Sequence, residues 1–283
     1  MDRNFSILIT NDDGYAAEGI HSLARIMKKY GKVTAVAPKR HQSGMGMAVD
    51  LGLKQISYKY LGLEDGVEWH LLDGTPASCI KYGLGFPFLN HKPDLVVTGI
   101  NHGSNASTGS CYSGTLGAAQ EAALNGIRAV GVSLNNYHRD ADFSTVEELF
   151  PTILDSLLRM GPGEDGIYYN INFPDLPASE VKGVRVGHQG RGHWEHEFIP
   201  WSPEKYCLMG TTPEALGQSS RPVLEEGEKL YMMVGTYIDD TNDVLSDHWL
   251  MQDGYVAIVP HQLYNTDALE IERLRDWGMD MDF

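Results

Sequence analysis

An α/β fold, with a mostly parallel sheet covered by helices on both faces, is the architecture this sequence predicts. Three observations lead there. Short, almost wholly apolar runs recur through the first two thirds of the 283 residues, and strands buried on both faces of a sheet read this way. Longer amphipathic segments separate those runs, so strand and helix alternate as βαβ units do. After about Pro174 the alternation gives way to short extended stretches with glycine-containing turns, the pattern of antiparallel hairpins.

In chain order, FSILIT (5–10) is the first strand and GIHSLARIMKKYG (19–31) a helix closed by Gly31. KVTAVAP (32–38) is a second strand, and TPASCIKYGL carries Cys79 on a helix, where it packs. DLVVTGI (94–100) is a strand entered after a proline. SGTLGAAQEAALNG (113–126) is a helix with Ser113 as its cap and Gly126 as its stop. IRAVGVSL (127–134) and YYNINF (168–173) are strands on either side of TVEELFPTILDSLLRMG (145–161), a helix that Pro151 should kink or divide. Residues 181–200 and KYCLMGT (205–211) read as extended hairpin segments, as does EKLYMMVGTYIDDTND (228–243). GYVAIVP (254–260) is a late strand and TDALEIERLRDWG (266–278) a terminal helix. The expected organisation is a core over 1–180, a hairpin extension over 181–245, and a C-terminal strand and helix over 246–283 that pack on the core or on a partner subunit.

A chain of this length buries roughly three quarters of the surface it exposes unfolded, so its stability needs no disulfides. Lys+Arg number 22 against 38 Asp+Glu, a formal charge of −16. That balance argues against binding to nucleic-acid polymers, where basic residues must displace counterions. It also repels small phosphorylated compounds, so phosphate chemistry here requires a local positive source such as a metal ion or a helix N-terminus. Three scattered cysteines without a CxxC pair, no signal-peptide pattern at the start and no long apolar run point to a cytoplasmic protein with no membrane partner.

Three polar loops follow three strands. Asn11-Asp12-Asp13-Gly14 follows the first. These residue types favour tight turns, yet two adjacent carboxylates at the carboxyl end of a strand sit where α/β proteins keep their ligands. They repel each other unless a cation joins them, and a hard divalent ion with oxygen ligands is the natural partner. Pro38-Lys39-Arg40-His41-Gln42-Ser43-Gly44-Met45-Gly46 follows the second strand. Taken alone Ser43 reads as a turn residue, while Gly44 and Gly46 allow backbone to approach an anion closely. The third loop begins Thr98-Gly99-Ile100-Asn101-His102-Gly103-Ser104-Asn105 and runs through Ser107 to Tyr112-Ser113-Gly114-Thr115 and a helix start, which suits phosphate as well as an ordinary cap.

In order and spacing, ILITNDDGYAAEGI, APKRHQSGMG, LDGTPASCIKYGL and VVTGINHGSNASTGSCYSGTLGAAQEAAL resemble the SurE family, stationary-phase survival nucleotidases. The later NINFPD and SDHWLMQDGYVAIVP are similar to the family's landmarks too. The resemblance covers nearly the whole chain and is densest over 5–134. It implies a Rossmann-like core and a hairpin extension used in oligomer contacts. It further implies a phosphomonoesterase for nucleoside 5′- and 3′-monophosphates, with activity on short polyphosphate also found in the family. Carried over residue by residue, the family's metal ligands are Asp12, Asp13, Ser43 and Asn101. Asn11, Gly44, Asn105, Ser107, Ser113, Gly114 and Thr115 are the expected phosphate and substrate contacts. The chain departs from the family where Ser107 and Gly109 replace a frequent glycine and aspartate, and at Cys111.

Two carboxylates, a hydroxyl and an amide give an all-oxygen donor set, which favours one Mg²⁺ or Mn²⁺ per subunit over Zn²⁺. The expected chemistry is attack by an activated water, with Asp12 or Asp13 accepting its proton and no phosphoenzyme. Two other readings use the same loops: an exopolyphosphatase with nucleotides as secondary substrates, and a nucleotide-binding regulator without turnover. His193 and His196, three apart, would point to opposite faces of a regular strand and are discounted as a zinc pair. Gly44-Met45-Gly46 does not make a dinucleotide fingerprint. The aromatic residues gathered in 194–206 and Tyr231-Met232-Met233 exceed what a lone hairpin can shelter, so a homodimer or homotetramer is expected.

Overall fold

The computed structural model describes residues 4–281 apart from 53 and 162. Residues 1–3 and 282–283, which belong to the expected units 1–180 and 246–283 (the first three also to the start read for a signal peptide), lie outside the described residues. Nine strands form one sheet: β1 Phe5–Thr10, β2 Gly31–Pro38, β3 Tyr58–Glu64, β4 Val67–Leu72, β5 Leu95–His102, β6 Ala129–Leu134, β7 Ile167–Phe173, β8 Gly183–Val186 and β13 Tyr255–Gln262. Their order is β3-β4-β2-β1-β5-β6-β7-β13-β8. The six from β4 to β7 run parallel. β3 pairs antiparallel with β4 at one edge, β13 pairs antiparallel with β7, and β8 lies parallel to β13 at the other edge.

Alternation along β1 explains the layers. Ile7 and Ile9 face one side and pack with Ile20 and Leu23 of α1 (Glu18–Met27) and with Val146, Phe150 and Leu154 of α4 (Ser144–Met160). Leu8, between them, faces the other side and packs with Ile80 of α2 (Pro76–Gly85) and Leu116 and Ala119 of α3 (Gly114–Leu124). The molecule is therefore the three-layer α/β structure expected, with a mostly parallel sheet buried on both faces.

Several elements differ from the sequence expectation. α1 ends at Met27, and Gly31 opens β2 instead of closing the helix. A Cβ at Gly31 would overlap the Phe5 carbonyl, so glycine here lets β2 lie against β1. Pro151 does not divide α4, which is continuous from Ser144 to Met160. The buried stripe of Val146, Phe150 and Leu154 holds it to the sheet, and the Tyr30 hydroxyl donates to the Pro151 carbonyl at 3.0 Å. KYCLMGT is not extended: Glu204–Leu208 is a helix, α5, begun at Ser202-Pro203 and anchored by the buried Tyr206. A proline suits such a helix start because the first turn needs no donor.

Residues 181–200 do not form local hairpins either. β8 joins the main sheet. β9 (His193–Glu195) pairs with β12 (Thr236–Ile238), and β10 (Phe198–Pro200) with β11 (Tyr231–Met233). The result is a two-stranded antiparallel ribbon that closes a long loop containing α5. α6 (Asp247–Gln252) then leads to β13, and α7 (Ala268–Asp276) follows with no buried residue. None of the helices among the described residues is long and apolar enough to cross a membrane.

Candidate active site

Because β1 lies between β2 and β5 and all three run parallel, their carboxyl ends bring the three polar loops to one edge of the sheet. Backbone hydrogen bonds interlock them. Gln42 donates to the Asp12 carbonyl at 2.7 Å, Tyr15 to Pro38 at 3.0 Å, and Gly46 to Tyr112 at 2.8 Å. Gly117 leaves room for the Gly46 carbonyl where any side chain would collide with it. The second loop is thus held between the first and the third.

Asp12 is buried, contrary to the usual placement of a strand-end carboxylate, with 2% of its surface exposed. Its Oδ1 accepts a 2.7 Å hydrogen bond from Thr115 Oγ1. Gly114 packs so closely that a Cβ there would lie 2.8 Å from Asp12 Cβ. Burial, and after it the adjacent Asp13 charge, push the Asp12 carboxyl up to about 7. Asp13 Oδ2 accepts from the His102 backbone N–H at 3.1 Å and faces His102 Nδ1 at 3.0 Å. Its Oδ1 lies 3.6 Å from His41 Nδ1. His102 Nε2 faces the Arg139 carbonyl at 3.2 Å, so both ring nitrogens meet acceptors. Burial alone would lower the His102 pKa, but the Asp13 carboxylate and the Arg139 carbonyl outweigh it and the pKa is raised. His41, with burial dominant, is lowered.

The remaining expected ligands lie on the same edge. Asn101 is buried in β5, where the pairing with β6 shifts register between Thr98 and Asn101. Its amide nitrogen donates to the Gly103 carbonyl at 2.8 Å, which leaves the amide oxygen as its donor atom toward a cation. Ser43 is exposed and follows Gln42, the residue bonded to Asp12. Two carboxylates side by side, one of them raised by burial and then by its neighbour, are a donor set that a hard divalent cation fits.

The expected substrate contacts divide into three groups. Asn11 donates to the Gly14 carbonyl at 3.0 Å, and its buried Oδ1 has no partner. Gly44, at φ +77°, faces open space. Ser113 caps α3 by accepting the Leu116 N–H at 3.0 Å, while Gly114 and Thr115 brace Asp12 as described. Asn105 is built into the core: its amide nitrogen donates to Ser133, its N–H to Asn172 and its carbonyl accepts from Asn170. Ser107 is buried at φ +53°, and its N–H is engaged by Asp247.

His102, His41 and Asp247 escaped the sequence reading. The two histidines stand inside the quoted loops, and the signal available was their place beside the acidic pair. Asp247 lies more than a hundred residues away, inside SDHWLMQDGYVAIVP, where the resemblance marks the segment but not the part this carboxylate plays.

A family model described as survival protein SurE matches residues 7–196. The chain is 36% identical over 281 residues to the 5'-nucleotidase SurE of Christiangramia forsetii, covering 96% of each chain. It is 34% identical over 273 residues to that of Flavobacterium psychrophilum, covering 96% of this chain and 97% of the other. Among solved structures, the SurE protein from Aquifex aeolicus superposes with a TM-score of 0.75 at 25% identity, covering 96% of this chain and 99% of that one.

Proposed function

The chain belongs to the SurE family, and from that premise we propose that it is a divalent-cation-dependent nucleotidase that hydrolyses nucleoside 5′- and 3′-monophosphates to nucleoside and phosphate. The observation that carries this reading is the pair Asp12 and Asp13, close together, one of them buried, with only His41 and His102 among the described residues within ion-pair distance of Asp13. A protein that only bound phosphate would gain nothing from adjacent negative charges there. Asp12, Asp13, Ser43 and Asn101 would hold one Mg²⁺ or Mn²⁺. Such a cation would neutralise charge on the phosphoryl oxygens and make a water acidic enough to attack.

The chain's own groups do the rest. Thr115 and Gly114 fix the Asp12 carboxylate, and the His102 N–H and ring fix that of Asp13. Asp12 or Asp13 accepts the proton of the attacking water. The N-terminus of α3 and the backbone at Gly44 offer N–H groups to the phosphate in a molecule whose net charge otherwise repels it. Phosphoryl transfer depends mainly on such positioning and charge stabilisation.

We further assign the protein to the cytoplasm and to a homodimer or homotetramer. All three cysteines are free thiols. The ribbon exposes Trp194, Phe198, Tyr231 and Met233, and the unburied α7 region exposes Leu269, Trp277 and Met279. A second copy of the chain covers such apolar faces in symmetric assemblies.

Phosphate release from a panel of mononucleotides, short polyphosphate and sugar phosphates tests the function. The expected result is release from mononucleotides that chelation abolishes and Mg²⁺ or Mn²⁺ restores. Chelator-resistant turnover, or a strong preference for polyphosphate, overturns the assignment.

A further inference from the structure

Asp247, the first residue of α6, is completely buried. Its carboxylate gathers three backbone donors from three parts of the chain. Ser107 N–H reaches both oxygens at 3.0 Å, Gly190 N–H reaches Oδ1 at 2.9 Å, and His248 N–H reaches Oδ1 at 2.9 Å. Ser107 belongs to the third site loop, Gly190 to the segment leading into the ribbon, and His248 to α6. The carboxylate is therefore a tie between the candidate site and the root of the ribbon.

The ribbon makes a second tie to the same loop. Tyr237 on β12 donates its hydroxyl to Ser107 Oγ at 2.8 Å. Thr108 donates both its N–H, at 3.2 Å, and its hydroxyl, at 2.6 Å, to the Gly192 carbonyl. The Tyr237 ring packs against His248, centroids 4.5 Å apart, and meets Trp194 edge-on at 5.6 Å. Neither Gly190 nor Gly192 has room for a Cβ, which would strike Ser107 Oγ and the Tyr237 hydroxyl respectively. Ser107 itself holds φ +53°. That left-handed backbone is disfavoured for a non-glycine residue and persists only where the surroundings over-determine it. The contacts with Asp247 and Tyr237 are those surroundings.

We propose that Asp247 and Tyr237 are positioning residues for substrate binding: they hold loop 103–113, which leads from Asn101 to the N-terminus of α3, in its phosphate-receiving shape, and so make the ribbon set how tightly the site takes a nucleotide. The inference rests on the proposed function of the site. Its physical basis is preorganisation. A loop released from these ties must be ordered at the moment of binding, and that ordering is drawn from the affinity. Neither residue is among the expected cation ligands, so the loss falls on nucleotide binding.

The experiment uses the full chain with Mn²⁺ and adenosine 5′-monophosphate as the probe, and compares Tyr237→Phe and Asp247→Asn with the parent. Tyr237→Phe deletes one hydroxyl and keeps the ring packing, so it folds even where Asp247→Asn does not. Amide hydrogen exchange of peptides spanning 103–113 should rise in Tyr237→Phe while α4 peptides stay unchanged. KM should rise about tenfold with kcat within about threefold, a split that mere loss of folded protein does not produce. Unchanged exchange in 103–113 overturns the proposal, and so does raised exchange with a KM within twofold of the parent. If the parent releases no phosphate from the nucleotide, it is the proposed function that fails. The exchange measurement then decides the tie by itself, a rise supporting it and no change overturning it.

Discussion

Replacing Gly114 with alanine separates what this position does for stability from what it does for chemistry. A Cβ at Gly114 would lie 2.8 Å from Asp12 Cβ, 3.0 Å from Asp12 Oδ2 and 3.1 Å from Pro76 Cγ. Carbon atoms rest at about 3.5 Å or more, so Asp12 or the start of α3 must move by about 0.7 Å. Asp12 cannot move alone, because its Oδ1 is bonded to Thr115 in the same helical turn. Against that strain stands the unfolded chain: alanine has less backbone freedom to lose than glycine, which stabilises by roughly 0.4–1 kcal/mol where φ is compatible. The two effects oppose each other in stability, so the melting temperature should shift by only a few degrees. In activity nothing compensates. A misplacement of about 1 Å at a reacting centre costs on the order of a hundredfold, and 0.7 Å should lower kcat/KM by about 30- to 100-fold. Phosphate release from a mononucleotide at saturating Mn²⁺, beside a thermal melt, measures both. A Gly114→Ala protein with more than half the parent's kcat/KM would refute the claim that close packing of Gly114 on Asp12 sets the geometry of the site.

Four other outcomes are expected. Asp12→Asn and Asp13→Asn should each remove more than about 99% of turnover, since either leaves one carboxylate to hold the cation; near-parental rates with metal still required would refute the assignment. Their stabilities should differ in kind, because Asn at position 12 relieves a buried carboxylate whose pKa burial has raised, and urea unfolding at pH 8 should find Asp12→Asn at least as stable as the parent. Sedimentation at micromolar concentration should show a dimer or tetramer, and a fully active species of monomer mass would remove the ribbon and α7 from any role in assembly. The fourth outcome concerns acid. Burial would raise the Glu147 pKa, but the Ser22 hydroxyl and Arg25 outweigh it and hold it below the usual glutamate range. A lowered carboxylate stabilises the fold above its unfolded pKa and loses that contribution as pH falls through its folded value. Glu147→Gln should therefore flatten the loss of stability between about pH 5 and 3, and an unchanged profile in urea titrations would show that the α1–α4 contact does not depend on this charge.

The layers and the site loops were legible because their signals are local. Apolar runs such as FSILIT declare buried strands, and the acidic pair after the first of them marks a candidate site. The edge hairpin β3–β4 was overlooked although its turn, Asp65-Gly66, is the strongest short-range hairpin signal and both residues adopt positive φ. The outer strand of that hairpin is largely exposed and lacks the apolar run that marked the others. The ribbon was read as local hairpins because extended residues show their conformation in sequence but not their partners: Phe198 pairs with Met233, across a loop that no periodicity spans. A carboxylate at a strand end is ordinarily exposed, and what buries Asp12, Gly114 and Thr115, is distant in sequence. The partners of Asp247 were hidden for the same reason, although its segment was marked by the resemblance. A carboxylate that serves the backbone of another loop looks, in sequence, like any helix-starting aspartate.

The distance in sequence between Asp12 and Thr115 also gives the site a place in time. They are 103 residues apart, and β5 and α3 must both be made before the hydrogen bond between them can form. At ribosomal rates of about 5–20 residues per second, Asp12 and Asp13 spend on the order of 5–20 s on a nascent chain that has no third loop to receive them. During that interval they are ordinary solvated carboxylates at the end of an unpartnered strand. A nascent chain halted before α3 emerges has the acidic pair but not the loops that enclose it. The strand made first, β1, becomes a working part only when β5 closes against its far side.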